Sequence, residues 1–273
     1  MWLDMKSIFA RSRNSIVIQY MSDLHLERID YQWTIEPAAP ILLLVGDIGR
    51  LNDFDKYRAF IMQCCYQFTK ILLVGGNHEY YDTSHEKGLQ LAEAMTNDPA
   101  TQGKVLYLNR ATYDVPDTDI TIAGCTLHSR IEDRTGLTND FRRIEEWTVD
   151  KHNAEHAADL AWLKSIVAQV GVTRRIVVAT HYAPEIEGTC HPMHRGSRFN
   201  QCFASDALRE LQRCPGPQNV THWVYGHTHW NTKFRRGKTL VVSNQRCNDS
   251  GKLSWWQKTS LYRPFDLNAV IEM

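Results

Sequence analysis

Five short segments of this chain combine carboxylate, amide and imidazole side chains, and each stands at the end of an apolar, strand-like run. In chain order they are Asp23-Leu24-His25, Gly46-Asp47, Gly75-Gly76-Asn77-His78-Glu79, His181 and Gly226-His227-Thr228-His229. Oxygen and imidazole ligands of these types are what a pair of divalent metal ions needs. Asp-x-His and Gly-Asp are common on their own, and the other two longer segments are more specific. All five together at strand ends favour a metal site over ordinary turns. The pattern predicts a binuclear metal hydrolase.

The spacing inside these segments suggests how the ligands are shared. Asp23 and His25 are two residues apart, and side chains at positions i and i+2 of a strand face the same way, so one metal could bind both. His227 and His229 repeat this spacing, and the preceding glycine lets the backbone come close to whatever is bound. A carboxylate has two oxygens, so Asp47 is the predicted bridge between two cations that would otherwise repel each other.

The other two ligands are neutral. Asn77 offers an amide oxygen that adds no further negative charge, and His181 ends its apolar run in the same manner. The predicted metal ligands are Asp23, His25, Asp47, Asn77, His181, His227 and His229. This set has no thiolate, so it suits two divalent ions of manganese, iron or zinc better than copper(I) or an iron–sulfur cluster. With only two carboxylates the occupied site is cationic, and a cationic site attracts phosphate.

The order Asp-x-His, Gly-Asp, Gly-Asn-His-Glu, a single His after a strand and Gly-His-x-His resembles the calcineurin-like metallophosphoesterases, from about Tyr20 to about Asn244. The resemblance implies an α/β fold, a four-layer αββα sandwich of two mixed β-sheets flanked by helices. It implies one metal on Asp23, His25, Asp47 and His229, and the other on Asp47, Asn77, His181 and His227. The residues from Met21 to Glu27 and from Gly76 to Tyr81 are similar to a subgroup of small, single-domain, intracellular members of unassigned substrate.

The resemblance also implies catalytic roles for two further residues. His78 is expected to donate a proton or a hydrogen bond to the phosphate or the leaving group, and Glu79 is expected to orient it from behind. The implied reaction is hydrolysis by in-line attack of a metal-bound hydroxide on phosphorus. A general acid contributes about 10² to 10⁴ in rate when the leaving group is poor, and less when it is good.

Composition sets the outer limits of the interpretation. A chain of 273 residues that is 43% hydrophobic and 23% charged is enough for one large domain, so we expect an N-terminal extension at residues 1–14 and a single domain at 15–273. Seven cysteines without Cys-x-x-Cys spacing and no apolar signal segment favour reduced thiols in the cytoplasm or the nucleus. No run approaches the ~20 apolar residues of a membrane span.

Apolar runs and turn residues predict alternating strands and helices, which favours α/β layering. The predicted strands are Ile16 to Met21, Ile41 to Val45, Ile71 to Val74, Val105 to Leu108, Ile120 to Leu127, Ile176 to Thr180, His222 to Tyr225 and Thr239 to Ser243. The predicted helices are Asn52 to Thr69, Thr83 to Met95 and Val149 to Val170. Trp255-Trp256 could form a ligand platform, although aromatic residues more often pack in a core or an interface.

Two loops at the metal edge are the predicted substrate-binding elements. The loop from Leu127 to Arg143 and the loop from Glu185 to Gln201 together supply the candidates His128, Asn139, Arg142, Arg195 and Asn200. Arginine matches phosphate in a two-pronged geometry, so either loop could hold a second phosphate or the far arm of a phosphodiester. The alternative is that these arginines are solvated surface charges. His191 and His194 are interpreted as substrate-loop or surface residues rather than a third metal site.

These observations favour a phosphoesterase that acts on a small phosphorylated molecule, such as a nucleotide or a cyclic nucleotide, with monoester and diester activity both open. A nuclease of the same superfamily is the alternative enzyme, but Lys plus Arg and Asp plus Glu both total 31, so no global basic surface favours a nucleic-acid partner, while local basic patches remain open. A metal-bound scaffold without catalytic activity is the alternative from a different class. The sequence makes no prediction of oligomeric state.

Overall fold

The computed structural model describes residues 16–133, 137–246 and 262–273. The predicted N-terminal extension at residues 1–14 and the pair Trp255-Trp256 lie outside these ranges. The strands are β1 (Val17–Met21), β2 (Ile41–Val45), β3 (Lys70–Val74), β4 (Thr83–Ser84), β5 (Val105–Tyr107), β6 (Ala111–Asp114), β7 (Ile120–Cys125), β8 (Ile144–Glu145), β9 (Arg175–Thr180), β10 (Val220–Tyr225), β11 (Lys233–Arg236), β12 (Thr239–Ser243) and β13 (Val270–Glu272). The α-helices are α1 (Phe54–Gln67), α2 (His85–Thr96), α3 (Asp140–Arg143), α4 (Val149–Val170) and α5 (Ala207–Leu211).

Eleven of these strands form two mixed sheets. The first sheet has the order β13-β1-β2-β3-β5, in which only the edge strand β13 is antiparallel to its neighbour. The second sheet has the order β11-β12-β10-β9-β7-β6, with the antiparallel strands β11 and β6 at its two edges. Because the central strands of each sheet run parallel, their carboxyl ends meet at one edge of that sheet.

Buried side chains divide into three layers that follow the alternation of each strand. Between the sheets, Leu43 and Val45 of β2 share one core cluster with Val177 and Ala179 of β9. On the outer face of the first sheet, Leu42 and its neighbours pack against α1 and α2. On the outer face of the second sheet, the strands pack against α4 and α5. The result is the expected αββα sandwich, and burial on both faces explains why the central strands are continuously apolar.

The predicted central elements agree closely with the structure. The bounds of β2, β12 and α4 are those expected from the sequence. The strand predicted to reach Leu127 ends at Cys125 instead, because Leu127 and His128 adopt positive φ angles of 72° and 42°. The helix predicted from Asn52 begins at Phe54, after a short 3-10 helix. Sequence reasoning missed the antiparallel edge strands β6, β11 and β13.

Two further expectations concern cysteines and membranes. The six cysteines in the described ranges are all free thiols, as expected for reduced cysteines. Within those same ranges no helix has the length and apolar character needed to cross a membrane.

Candidate metal centre

The predicted ligands follow the carboxyl ends of five central strands. Asp23 and His25 follow β1, Asp47 follows β2, and Asn77 comes after β3. In the second sheet, His181 directly follows β9, while His227 and His229 follow β10. All but His229 are fully buried or nearly so. The two sheets therefore bring residues that are more than two hundred positions apart in the chain to one place.

Most of these ligands lie on left-handed backbone turns. The φ angles of Asp23, His25, Asp47, His227 and His229 are 55°, 47°, 54°, 71° and 51°. The strand-alternation argument for the two pairs was therefore wrong in its reason, because β1 ends at Met21 and β10 at Tyr225. Non-glycine residues in this region cost of order 1–3 kcal/mol each, and such strain concentrates at functional sites. The stability of the surrounding fold offsets this strain, which directs the side chains toward one another.

One group of potential ligand atoms joins the two sheets. It contains Asp23, His25, Asp47 and His229, whose ligand atoms all lie within 4.8 Å of one another. The Nε2 atom of His229 is 3.3 Å from Oδ1 of Asp23 and 3.2 Å from Nε2 of His25. Two imidazole rings and two carboxylates thus converge on one point, where a cation would offset the repulsion between their negative charges and lone pairs.

A second group shares Asp47 with the first. It contains Asp47, His181 and His227, again with ligand atoms within 4.8 Å. The Nε2 atom of His181 lies 3.2 Å from Oδ1 of Asp47 and 3.1 Å from Oδ1 of Asn77. Asp47 is therefore the carboxylate common to both groups, which is the geometry that a bridging ligand requires. Assignment of these seven residues as metal ligands stays a prediction.

Hydrogen bonds behind the ligands favour a cation in front of them. Nδ1 of His181 lies 3.0 Å from the carbonyl of Val45, and Nε2 of His227 lies 3.3 Å from the carbonyl of Cys202. A ring nitrogen that donates to a carbonyl leaves the other nitrogen unprotonated and free to bind a metal. The donor set thus fits two divalent cations in both chemistry and orientation.

The electrostatics of the centre are dominated by burial and mutual charge. Burial acts to raise the pKa of Asp47, but His181 and His78 outweigh it and hold the pKa well below its usual range. Burial, followed by repulsion from His181, lowers the pKa of His227 to about 4. An ionised shared carboxylate and a neutral imidazole are the forms that bind metal.

Asp140 is a residue of the site that sequence reasoning missed. Its buried Oδ1 accepts hydrogen bonds from Nδ2 of Asn77 at 2.8 Å and from the hydroxyl of Tyr81 at 2.7 Å. Its Oδ2 accepts from Thr138 at 2.8 Å and from Tyr182 at 3.3 Å. By holding the amide nitrogen of Asn77, Asp140 keeps the amide oxygen aimed at His181. In the sequence it was visible only as an acidic residue within the predicted substrate loop from Leu127 to Arg143.

The structure corrects the partner predicted for His78. Nδ1 of His78 lies 2.9 Å from Oε1 of Glu27, and its Nε2 faces Oδ2 of Asp47 at 3.9 Å. Burial lowers the pKa of His78, but Asp47 and Glu27 outweigh burial and raise it above its usual value. Burial raises the pKa of Glu27, but hydrogen bonds with His25 and His78 outweigh it and lower the pKa to about 2. Glu27, not Glu79, orients His78.

Glu79 instead binds the backbone of the loop that carries the shared carboxylate. Its carboxylate accepts from the N–H groups of Asp47 and Ile48, both at 2.8 Å, and of Gly76 at 2.7 Å. The N–H group of Gly49 at 3.3 Å and the hydroxyl of Tyr57 at 3.1 Å add two further hydrogen bonds. Glu79 is fully buried, so these bonds clamp the turns after β2 and β3 together. Glu79 therefore holds the two loops of the centre in place and does not orient the ring of His78.

A cavity of about 580 Å³ opens above the two ligand groups. His78 and four of the predicted ligands line it, together with the predicted substrate residues Asn139 and Asn200. His191 and His194 also line this cavity, which agrees with their interpretation as substrate-loop residues. The described residues line a larger open cavity beside α1, but none of its side chains belongs to a ligand group.

Three predicted substrate residues do not line this cavity. His128 is 3% exposed and packs among Trp147, His152 and Tyr182, because the backbone turns at the end of β7. Arg142 is exposed on α3 and lies outside the cavity lining. Arg195 lines a neighbouring cavity instead.

Comparisons with known proteins agree with this architecture. A sequence profile described as calcineurin-like phosphoesterase matches residues 18–231. Uncharacterized protein L509 of Acanthamoeba polyphaga mimivirus is 27% identical, over 84% of this chain and 90% of its own. Phosphopantetheinyl hydrolase PptH from Mycobacterium tuberculosis shares the fold with a TM-score of 0.63 and 16% identity, over 85% of this chain and 90% of its own. A dimetal phosphatase from Danio rerio has a TM-score of 0.51 and 14% identity, over 84% and 86%.

The profile covers most of the chain, and the fold and the ligand groups are consistent with it. The chain therefore belongs to the calcineurin-like phosphoesterase family and is a metal-dependent phosphoric ester hydrolase.

Proposed function

We propose that this protein is a binuclear phosphoesterase that hydrolyses a phosphomonoester or phosphodiester of a small molecule, such as a nucleotide or a cyclic nucleotide. One observation carries the proposal. Two groups of potential metal-binding side chains share Asp47, which lines a cavity that His78 also lines. A shared carboxylate supports two neighbouring cations, and two neighbouring cations suit displacement at phosphorus.

Each residue of the centre has a definite task in this proposal. Asp23, His25, Asp47 and His229 would hold one cation, and Asp47, Asn77, His181 and His227 the other. Bound divalent cations supply Lewis-acid activation of water and neutralise the charge of the phosphoryl oxygens. Asp140 fixes the amide of Asn77, and Glu79 fixes the loop of Asp47.

His78 is the proposed proton donor to the leaving group. Its Nδ1–H donates to Glu27, which fixes the plane of the ring and leaves Nε2–H on the side of Asp47, a residue that lines the cavity. The raised pKa of His78 keeps a proton available to the oxygen that departs. Nε2 of His78 gives its proton to the departing oxygen, the attacking water gives up a proton to solvent, and His78 is reprotonated from solvent. A monoester thus yields an alcohol and phosphate, and a diester yields an alcohol and a phosphomonoester.

The cavity supports a small substrate. Its volume of about 580 Å³ falls in the range of small-molecule sites. Leu137, Phe199 and Phe203 provide apolar walls, while Asn139 and Asn200 offer amide groups. Apolar walls exclude water from the reacting phosphate, and amides can orient a sugar or an ester arm.

The test compares p-nitrophenyl phosphate with bis-p-nitrophenyl phosphate. Metal-stripped protein is reconstituted with manganese, iron, zinc or magnesium, and turnover and bound metal per chain are measured. We expect turnover only with added metal, and two ions per chain. Asp47→Asn should lose turnover and bind less metal, because it removes the charge shared by both ligand groups. The ratio of diester to monoester rates then directs the choice of a nucleotide panel.

A matched control separates loss of the site from a general effect of the substitution. Asp117 is exposed and has a φ angle of 60°, close to that of Asp47, so Asp117→Asn makes the same chemical change in the same backbone conformation. It should leave turnover unchanged. Metal binding at two ions per chain without turnover of any ester would contradict the proposal and favour a scaffold. Faster cleavage of a single-stranded oligonucleotide than of either small ester would favour a nuclease.

A further inference from the structure

A second cavity adjoins the metal cavity on the side of the loop at residues 185–201. It has a volume of about 550 Å³ and shares Cys190 and Asn200 with the metal cavity. The two cavities also meet where His191, in the lining of the first, packs edge-on against Trp230, in the lining of the second, at a ring distance of 4.6 Å. A molecule bound at the metals could therefore extend into the second cavity.

The described lining of the second cavity is strongly cationic. It contains four basic side chains, Arg195, Lys233, Arg236 and Arg263, and a single acidic one, Glu187. Grouping like charges on one concave wall is unfavourable unless something of the opposite charge binds there. The whole chain has equal numbers of basic and acidic residues, so this is a local concentration of charge.

One of the four basic side chains is already neutralised. Nε of Arg236 donates to both carboxylate oxygens of Glu185, at 3.0 and 2.9 Å. Arg195, Lys233 and Arg263, in contrast, form no ion pair with any carboxylate in the described part of the chain. They are exposed, so their side chains can reach a ligand in the cavity.

The floor of this cavity is aromatic. Trp230 is 7% exposed, and the ring of Phe234 on β11 lies under the guanidinium group of Arg236, 4.7 Å from its centre. A cationic rim over an aromatic floor suits an anionic group carried on an apolar or aromatic arm. Arginine in particular pairs with phosphate through two parallel hydrogen bonds.

We propose that the second cavity is a subsite for a second phosphate group of the substrate, bound by Arg195, Lys233 and Arg263. The inference rests on the proposed function, and it narrows the substrate class to small molecules that carry a phosphate at a distance from the ester that is cleaved. Binding at this subsite does not change during the reaction, so it lowers KM more than it raises kcat.

Hexanediol bisphosphate and hexyl phosphate form the test pair, because they differ only in the distal phosphate. We expect wild-type protein to prefer the bisphosphate by roughly tenfold or more in kcat/KM, the effect of one good charge-assisted contact. Propanediol and decanediol bisphosphates show which arm length spans the two cavities. Arg195→Gln combined with Lys233→Gln should abolish the preference through KM, while hexyl phosphate is turned over as in wild type.

Lys238→Gln and Arg213→Gln are the matched controls. Lys238 lies on the same hairpin as Lys233, and both control residues are exposed and outside the described linings. They should retain the preference for the bisphosphate.

Equal kcat/KM for the two esters in wild-type protein would overturn the subsite while leaving the proposed function intact. So would a preference that survives the double variant. If neither ester is hydrolysed with any metal, the protein is not a monoesterase for alkyl phosphates, and turnover of bis-p-nitrophenyl phosphate decides whether the proposed function holds for diesters. Isothermal titration of hexanediol bisphosphate into wild-type and double-variant protein then decides the subsite separately, since only a subsite predicts weaker binding by the variant. Equal binding, or none, would overturn it.

Discussion

Replacing Glu27 by glutamine is the sharpest test of how this centre uses His78. The substitution keeps the length of the side chain and removes the charge that accepts the Nδ1 hydrogen of His78 at 2.9 Å. Both side chains are largely buried, at 10% and 16% exposure, so solvent screens the interaction little. A hydrogen bond to a charged group contributes about 1.5–3 kcal/mol, and each 1.36 kcal/mol corresponds to a factor of ten in rate. We therefore expect kcat to fall roughly 10-fold to 150-fold.

The size of this loss should depend on the leaving group. A proton donor matters most when the departing oxygen is basic, and little when it is p-nitrophenolate. The assay is kcat across a series of aryl phosphates, from p-nitrophenyl to phenyl and on to an alkyl phosphate. Glu27→Gln should approach wild-type activity at the first and show its full loss at the last. Glu93→Gln, an exposed change on α2, is the control and should match wild type throughout.

Two results would refute the reasoning about Glu27. One is an equal loss for every leaving group, which would indicate damage to the metal centre through the nearby His25, 3.6 Å from Glu27. The other comes from a double-mutant cycle with His78→Gln. If Glu27 acts only through His78, adding Glu27→Gln to that variant should cost nothing further. Additive losses would show that Glu27 acts by another route. Metal content is measured in each variant.

The central sheets could be predicted from the sequence because parallel strands buried on both faces leave a simple signal. Runs such as Ile41–Val45 are entirely apolar and end at turn residues. A run of this length is too short for a helix, so it predicts a buried strand. The edge strands carry no such signal. Lys233–Arg236 reads as a basic loop, and Val270–Glu272 is three residues long. Their pairing is decided by neighbours that are distant in sequence, so local patterns cannot reveal it.

The candidate site also had features that the sequence could predict and features that it could not. The identity of the potential ligands was visible in residue types and order, since chemistry restricts which side chains bind metal. Their backbone conformation was not, because left-handed turns at Asp23 and His25 depend on hydrogen bonds to the loop after β2. The prediction gave Glu79 the role that Glu27 has in the structure, for a related reason. Both are acids close to His78, and only the three-dimensional path of the chain shows which one reaches its ring.

Two further predictions concern residues behind the centre. Asp140→Asn should weaken binding of one metal roughly 10-fold to 100-fold, because it removes the carboxylate charge that accepts the hydrogen bond from the amide of Asn77. Competition with a fluorescent chelator measures the metal affinity, and an unchanged affinity would contradict the prediction. His152 governs part of the acid stability. Burial, followed by repulsion from His128, lowers its pKa to about 2, whereas in the unfolded chain the pKa is about 6.5. As pH falls below 6.5 the unfolded chain takes up a proton that the folded chain does not, so stability decreases by about 1.4 kcal/mol per pH unit. Between pH 7 and pH 5 this amounts to about 2 kcal/mol. The measurement is the free energy of unfolding in urea for metal-free protein at both pH values. Between them, His152→Gln should lose less of this free energy than wild type does, by the same amount. Equal losses would show that the imidazole of His152 is protonated in the folded chain.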